Sequence, residues 1–251
     1  MLAIERRNAI LAALSAEGKV VVSDFSQKFK VTEETIRRDI DKLAREGYAI
    51  KTYGGAVSNC SPSYDLPYNI RKKVNVEEKR AIAQKIAGMI HDGDRIMVDA
   101  SSTTLFVIRE IKSKKNLTVI TNSVEVLLEL ADKRDWNILS TGGTLKEGSL
   151  SLIGASAEKM VRGYHVDLAV CSAKGIDTGM GVTDSNEKDS EIKQAIFASA
   201  EKKILAVDST KFDKISFVKI CEVADVDIIV TDTMPSAIWQ EHLAEKGVTL
   251  F

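Results

Sequence analysis

Six apolar runs recur along the last two thirds of this 251-residue chain: RIMVDA (95–100), LTVIT (117–121), WNILST (136–141), VDLAVCSA (166–173), KILAVD (203–208) and DIIVTD (227–232). Segments of helical periodicity separate most of them. Short apolar strands alternating with amphipathic helices can hide both kinds of surface by lining the strands up in parallel and covering the sheet with the helices. An α/β domain with a mainly parallel sheet is the expectation. A helix over EEKRAIAQKIAGMI, with Ile82, Ile86 and Ile90 four apart, opens it.

Several runs end in a polar cluster: Asp99-Ala-Ser-Ser-Thr-Thr104, Thr121-Asn-Ser123, Thr141-Gly-Gly143, Ser172-Ala-Lys-Gly175 and Asp208-Ser-Thr-Lys211. In open parallel sheets, ligands bind beyond the C-terminal strand ends, so these clusters are expected to converge. Hydroxyls, amides, glycine backbone and two lysines are donors suited to an anion, above all a phosphate at a helix N-terminus, here near Ser102. Asp99, Asp177, Asp184, Glu191 and Asp208 are acceptors suited to sugar hydroxyls. Strand ends and helix caps are also rich in these residues for local reasons, so each cluster alone reads equally as a turn.

The first third reads differently. Residues 1–80 carry 15 Lys/Arg against 11 Asp/Glu, whereas the remainder carries 20 against 25, within a net charge of −1. Ile4, Ile10, Leu11 and Leu14 recur at near-helical spacing before Gly18. KVVV is a short β-prone piece, and Ser23 is placed to cap a short helix containing Phe25 and Phe29. Thr32 is placed to cap a second helix, TEETIRRDIDKLAREG, with an apolar stripe of Ile36, Ile40 and Leu43. At about 100° per residue, Arg38, Lys42 and Arg45 lie opposite that stripe, with Thr35 and Arg37 on its flanks. YAIKTYGGAV follows as a β-hairpin turning at Gly54-Gly55. This order of elements describes a winged helix-turn-helix, whose second helix enters the major groove while the hairpin touches the neighbouring backbone. Ser23, Thr32, Thr35, Arg37, Arg38, Lys42, Arg45, Lys51 and Tyr53 form the expected DNA-contacting set. The bland alternative is a solvated helix whose Arg37, Arg38, Asp39 and Asp41 make surface ion pairs.

The expected organisation is a DNA-binding domain over 1–58, a linker over 59–76 containing Pro62 and Pro67, and the α/β domain over 77–251. With 44% hydrophobic and 28% charged residues the composition is that of a soluble globular protein. No apolar run approaches the roughly 18 residues of a membrane span, and the opening MLAIERRNAI is no secretory signal, so a cytoplasmic location is expected. Cys60, Cys171 and Cys221 are isolated, as are His91, His165 and His242, and neither a metal site nor a cofactor is expected.

TIRRDIDKLAREG followed by GGAV resembles the N-terminal signature of the DeoR family of bacterial transcription regulators, with Tyr53 where that family usually has histidine. The resemblance continues through DASSTT, TNS, TGGTL…SLIG, KGIDTGMGVTD, SEIKQAI and DSTKF in the family's order, with Ser101 in place of its commonest residue there, glycine. It implies a sensor domain like ribose-5-phosphate isomerase. Ser101, Ser102, Thr103 and Thr104 would line a phosphate site, Asn122 the sugar side, and Lys211 the anion, with Asp99, Lys174, Asp177, Glu191 and Lys193 nearby. The resulting expectation is a repressor of a carbohydrate-utilisation operon, acting as a dimer or higher homo-oligomer on double-stranded operator DNA and released by a phosphorylated sugar. The alternative is a sugar-phosphate isomerase-like enzyme with a DNA-binding appendage, using Glu191 and Lys174. No residue is assigned a catalytic role in the preferred reading.

Overall fold

The computed structural model describes residues 2–58 and 67–251, the side chains of Ser15 and Ala16 excepted. It divides into two compact units, Met1–Val74 and Asn75–Phe251.

In the first unit, α1 (Ala3–Glu17) stops at Gly18, whose positive φ of 73° lets its N–H turn back to Leu14 O at 3.1 Å. Strand β1 (Lys19–Val21) leads directly into α2 (Val22–Phe29). Ser23 does not cap this helix. Val21 holds the cap position, and the N–H of Val22 bonds Gly54 O of the hairpin at 2.8 Å, so one end donor is satisfied by tertiary structure. Ser23 instead lies in the first turn and donates to Asp24. Helix α3 (Glu33–Arg45) begins as expected, Thr32 Oγ1 accepting the N–H of Thr35 at 3.3 Å. Its Ile36, Ile40 and Leu43 are buried with Ile10, Leu14, Val22 and Phe25.

Strands β2 (Ala49–Thr52) and β3 (Gly55–Ser58) form the antiparallel wing, and β1 adds to the free edge of β3. A Cβ on Gly55 would stand 2.1 Å from Val20 O, so the β1–β3 approach requires glycine there. Of the stretch read as linker, residues 59–66, including Cys60 and Pro62, lie outside the described residues. The following residues form a short helix, α4 (Tyr68–Arg71), with Tyr68 and Ile70 buried, and Ile70 joins the core of the first unit.

The second unit comprises α5 (Val76–Ala87), β4 (Arg95–Val98), α6 (Ser102–Glu110), β5 (Thr118–Thr121), α7 (Val124–Glu129), β6 (Asn137–Ser140), β7 (Thr144–Lys146), β8 (Ser151–Ile153), α8 (Ala155–Arg162), β9 (Val166–Cys171), β10 (Gly175–Asp177), β11 (Gly181–Asp184), α9 (Glu187–Ala198), β12 (Ala200–Ala206), β13 (Val218–Cys221), β14 (Ile228–Val230), α10 (Ala237–Glu245) and β15 (Thr249–Leu250). Seven strands make one parallel sheet in the order β15-β14-β12-β9-β4-β5-β6. Six are the apolar runs read above, and β15, two residues long, is the seventh. Successive strand residues face opposite sides, and Ile96, Met97 and Val98 are all fully buried, so both faces are covered. A β7–β8 hairpin and an antiparallel β10-β11-β13 sheet are additions that the apolar pattern did not reveal.

This strand order positions the site. From β4 the chain moves to β5 and β6 on one side, then returns to β9 on the other and continues outward. The direction reverses between β4 and β9, which makes their C-terminal ends the topological switch point.

Candidate functional site

Two surfaces carry the residues singled out above. On the first unit, α3 presents Arg37 and Arg38 outward, with side chains 52% and 79% exposed. Each is paired one turn back, Arg37 to Glu33 at 2.6 Å and Arg38 to Glu34 at 3.4 Å. Exposed pairs of this spacing are worth about 0.3–0.5 kcal/mol, so phosphate or a base edge can displace them. Lys42 and Arg45 are exposed on the same side, Arg45 reaching Asp41 O at 3.3 Å. Thr32 and Thr35 bring their hydroxyls within 3.0 Å of each other at the helix start. Lys51 ties the wing to α3 through Asp41 at 2.5 Å, while Tyr53 is fully exposed at the wing tip. Ser23 is half-buried on α2.

Asp39 departs from the surface-pair reading. It is 4% exposed and bonds the Nε of Arg6, with Arg7 Nη1 at 3.6 Å. The recognition helix is thus clamped to α1 by a buried pair. The signal in the sequence was the acid at position 39, between Ile36 and Ile40 on the apolar side, facing two arginines in α1.

On the second unit, the five polar clusters follow β4, β5, β6, β9 and β12, and since these strands are parallel all five lie along one sheet edge. The β4 cluster is organised by α6. Ser101 is its N-cap, Oγ accepting the N–H of Thr104 at 3.1 Å. Thr104 is fully buried, and its hydroxyl lies 2.8 Å from Asp99 O, turned away from any ligand. Both residues therefore shape the loop instead of lining it. Ser102 and Thr103 differ: they are 5% and 4% exposed, yet their hydroxyls have no hydrogen-bond partner among the described residues. They are the first two residues of a nine-residue helix, where backbone N–H groups also lack intrahelical acceptors.

At the end of the neighbouring β5, Asn122 is 2% exposed. Its Nδ2 donates to Leu152 O at 3.1 Å and its backbone carbonyl accepts the N–H of Leu152 at 2.7 Å, while Oδ1 is buried without a partner among the described residues. The β7–β8 hairpin thus packs over the end of β5. Its other strand is held by Lys146, which pairs with Asp189 of α9 at 2.5 Å.

Several expected ligand contacts are instead engaged within the protein. Asp99 is fully buried: Oδ1 accepts the N–H of Ser101 at 3.1 Å, and Oδ2 accepts the N–H of Ser172 at 3.1 Å with Lys193 Nζ at 3.3 Å. A carboxylate so occupied has no free lone pair exposed to a sugar. Lys193 directs its ammonium to Ser172 O at 2.8 Å, to Asp184 and to Asp99. Asp177 closes the β10–β11 turn, accepting the N–H groups of Gly179 and Met180 at 2.9 and 2.8 Å. Glu191 lies two residues, or about 200°, around α9 from Lys193, on the flank away from that cluster and without a partner among the described residues. Lys174 is half-buried and its charge helps hold Asp184 ionised. Lys211 reaches the same sheet edge after β12, two strand spacings or about 10 Å from β4, with Asp208 Oδ2 at 4.0 Å.

Burial pushes the Asp184 carboxyl up, but Lys193 and then Lys174 outweigh it and hold it below the ordinary range. Burial likewise disfavours the Lys193 ammonium, and Asp184 and Asp99 reverse this, raising it above an ordinary lysine. Among the described residues no group of histidine, cysteine and carboxylate side chains has the arrangement of a metal site, and no helix is long and apolar enough to cross a membrane.

Comparison with known proteins identifies the family of each unit. Residues 6–61 match the DeoR-like helix-turn-helix domain, and residues 74–233 match the DeoR C terminal sensor domain. The chain is 39% identical to the HTH-type transcriptional regulator YulB of Bacillus subtilis strain 168, across 99% of this chain and 96% of that one. It is 28% identical to the glycerol-3-phosphate regulon repressor of Escherichia coli K12, across 98% and 97%. Among solved structures, ribose 5-phosphate isomerase A of Methanocaldococcus jannaschii aligns at 16% identity and a TM-score of 0.40 over 55% of each chain. That likeness is partial, and the strand order itself defines the fold. A winged helix-turn-helix with an outward arginine pair, joined in one chain to a parallel α/β sensor unit and matched along nearly its whole length, belongs to the DeoR family of DNA-binding transcriptional regulators.

Proposed function

We propose that this regulator represses a carbohydrate-utilisation operon and is released from its operator by a phosphorylated sugar bound at the switch point of the sensor sheet. The observation that carries the effector half is the pair of hydroxyls of Ser102 and Thr103 at the start of α6, which have no partner among the described residues. They offer donors where the helix dipole already favours an anion. The orphaned Asn122 Oδ1, on the next strand, is an acceptor available to a sugar hydroxyl once the β7–β8 hairpin yields. A relative that represses a glycerol-3-phosphate regulon supports a small phosphorylated ligand.

The DNA half rests on Arg37, Arg38, Lys42 and Arg45 of α3, with Thr32 and Thr35 at its start and Lys51 and Tyr53 in the wing. Arg37 and Arg38 read guanine or bind phosphate, and the others fix register. The protein acts in the cytoplasm as a dimer or higher homo-oligomer on a repeated operator. The effector acts by population shift, binding the operator-released state more tightly than the bound one.

An isomerase needs a carboxylate base beside the substrate. Asp99 and Asp184 are engaged internally and Glu191 lies away from them, which favours a sensor over an enzyme. Thermal shift with a panel of phosphorylated sugars tests the effector, since a ligand that binds only the native state raises the melting temperature. A flat response across the panel refutes the cradle. Operator titrations of Arg37→Ala and Arg38→Ala at several salt concentrations test the helix, and an unchanged affinity and salt slope refute it.

A further inference from the structure

Directly beneath the start of α6 lies a buried ionic cluster. Asp99 is fully buried, and Asp184 and Lys193 are 2% and 9% exposed. Asp99 follows β4 and Ser172 follows β9, the two strands flanking the switch point. One carboxylate bonds the N–H of Ser101 at the head of α6 and, at 3.1 Å, the N–H of Ser172 on the opposite lip. The ammonium of Lys193 holds that carboxylate at 3.3 Å and the carbonyl of the same Ser172 at 2.8 Å. Its third donor goes to Asp184.

This arrangement poses an electrostatic problem that Lys193 solves. A carboxylate at a helix N-terminus offsets the positive end of the dipole and opposes a second anion there. Asp99 is needed to shape the loop, yet it lies under the position where a phosphate would bind.

We propose that Lys193 is a positioning residue for effector binding: it neutralises Asp99 and locks it across the switch point, so that the cradle it shapes accepts an anion. The inference rests on the reading of Ser102 and Thr103 as an anion site. Lys193 never touches the ligand, because all three of its N–H donors are engaged.

The charged and titratable groups around it come from every neighbouring element: Asp99 after β4, Asp184 at the end of β11, Lys174 before β10, Asp189 on α9, and the thiols of Cys171 on β9 and Cys221 on β13. The two lysines balance Asp99 and Asp184 while all four are ionised. Without Lys193, two buried carboxylates share one site with only Lys174 to offset them, and like charges so placed favour uptake of a proton by the pair.

The experiment is calorimetric titration of inorganic phosphate into the full-length protein and its Lys193→Met variant between pH 5.5 and 8.5, with circular dichroism reporting the fold. The ratio of variant to wild-type affinity cancels the ionisation of phosphate itself. We expect a loss on the order of tenfold to a hundredfold at pH 8.5, recovering toward unity at pH 5.5 as the uncompensated carboxylate pair takes up a proton. A loss of equal size at every pH marks a merely structural lysine and overturns the inference, as does an unchanged affinity. Should Lys193→Met fail to fold, Asp184→Asn/Lys193→Met removes one charge of each sign and must show the same acid recovery. Absence of phosphate binding by the wild type refutes the cradle, and this inference with it. Binding by both proteins with parallel pH profiles refutes this inference alone.

Discussion

Replacing Asp39 with alanine removes the acceptor that clamps the recognition helix to α1 and leaves Arg6 and Arg7 facing a small cavity. Breaking a buried ion pair from one side costs about 3–5 kcal/mol, because the remaining charge stays desolvated. Here the arginine side chains retain 9% and 17% exposure, so some hydration is recovered and about 2–3 kcal/mol is the appropriate figure. A unit the size of the first one has a total stability on the order of 4–11 kcal/mol. The loss is therefore a large fraction, equivalent to a fall of about 10–20 °C in its melting transition. Scanning calorimetry of the full-length protein measures it, and hydrogen exchange at the amides of α1 and α3 locates it. Arg6→Met/Asp39→Met is expected to recover part of the loss, since the closer of the two charge pairs is replaced by apolar groups and only the more exposed Arg7 loses its partner. An Asp39→Ala variant within about 0.5 kcal/mol of the parent, or strict additivity in the Arg6–Asp39 double-mutant cycle, refutes the clamp.

The exposed pairs on the same helix should behave oppositely. Glu33→Ala with Glu34→Ala changes stability by less than about 1 kcal/mol but tightens operator binding and steepens its salt dependence, because Arg37 and Arg38 are freed and two negative charges leave the interface. In the sensor unit, Ser102→Ala/Thr103→Ala abolishes the effector-induced thermal shift with little change in the ligand-free melting temperature. Ser101→Ala lowers ligand-free stability by about 1 kcal/mol through loss of the helix cap, and urea titration separates the two effects. Gly55→Ala forces a Cβ to within 2.1 Å of Val20 O, so β1 must part from β3, and a loss of at least about 3 kcal/mol in urea unfolding is expected. The pH dependence has a defined sign. Asp184, lowered in the folded state, contributes stability that is fully present above its unfolded value of about 4 and is lost as pH falls through its folded value. Lys193, raised in the folded state, contributes stability present below about 10.4 and lost as pH rises through its folded value. Denaturation of the second unit at several pH values should thus give a plateau between these limits, and a maximum at either end contradicts the pairing.

Much of the architecture was legible because it depends on local patterns. Ile36, Ile40 and Leu43 at helical spacing after Thr32 imply an amphipathic capped helix whatever surrounds them, and they leave Arg37 and Arg38 outward. The six apolar runs became six parallel strands because length and periodicity exclude most alternatives. Ser23 was misread because a helix donor that usually needs a side-chain cap here finds Gly54 O, some thirty residues away in sequence. The β7–β8 hairpin and β10-β11-β13 sheet escaped because their strands are three or four residues long and owe their pairing to what they pack against.

The same division runs through the site. Residue types alone identified a donor-rich edge suited to an anion and an outward arginine pair suited to DNA, because hydroxyl, amide and guanidinium chemistry travels with the residue. Which of Asp99, Ser101, Ser102, Thr103, Thr104 and Lys193 remains available was a tertiary matter. Ser101 and Thr104 bond each other and the loop, Asp99 and Lys193 bond across two strands, and the hydroxyls of Ser102 and Thr103 are left unpaired among the described residues. A sequence lists the donors and acceptors, but only the fold brings Ser172, Asp184 and Lys193 within reach of Asp99, and hydrogen-bond capacity is finite once those neighbours are in place.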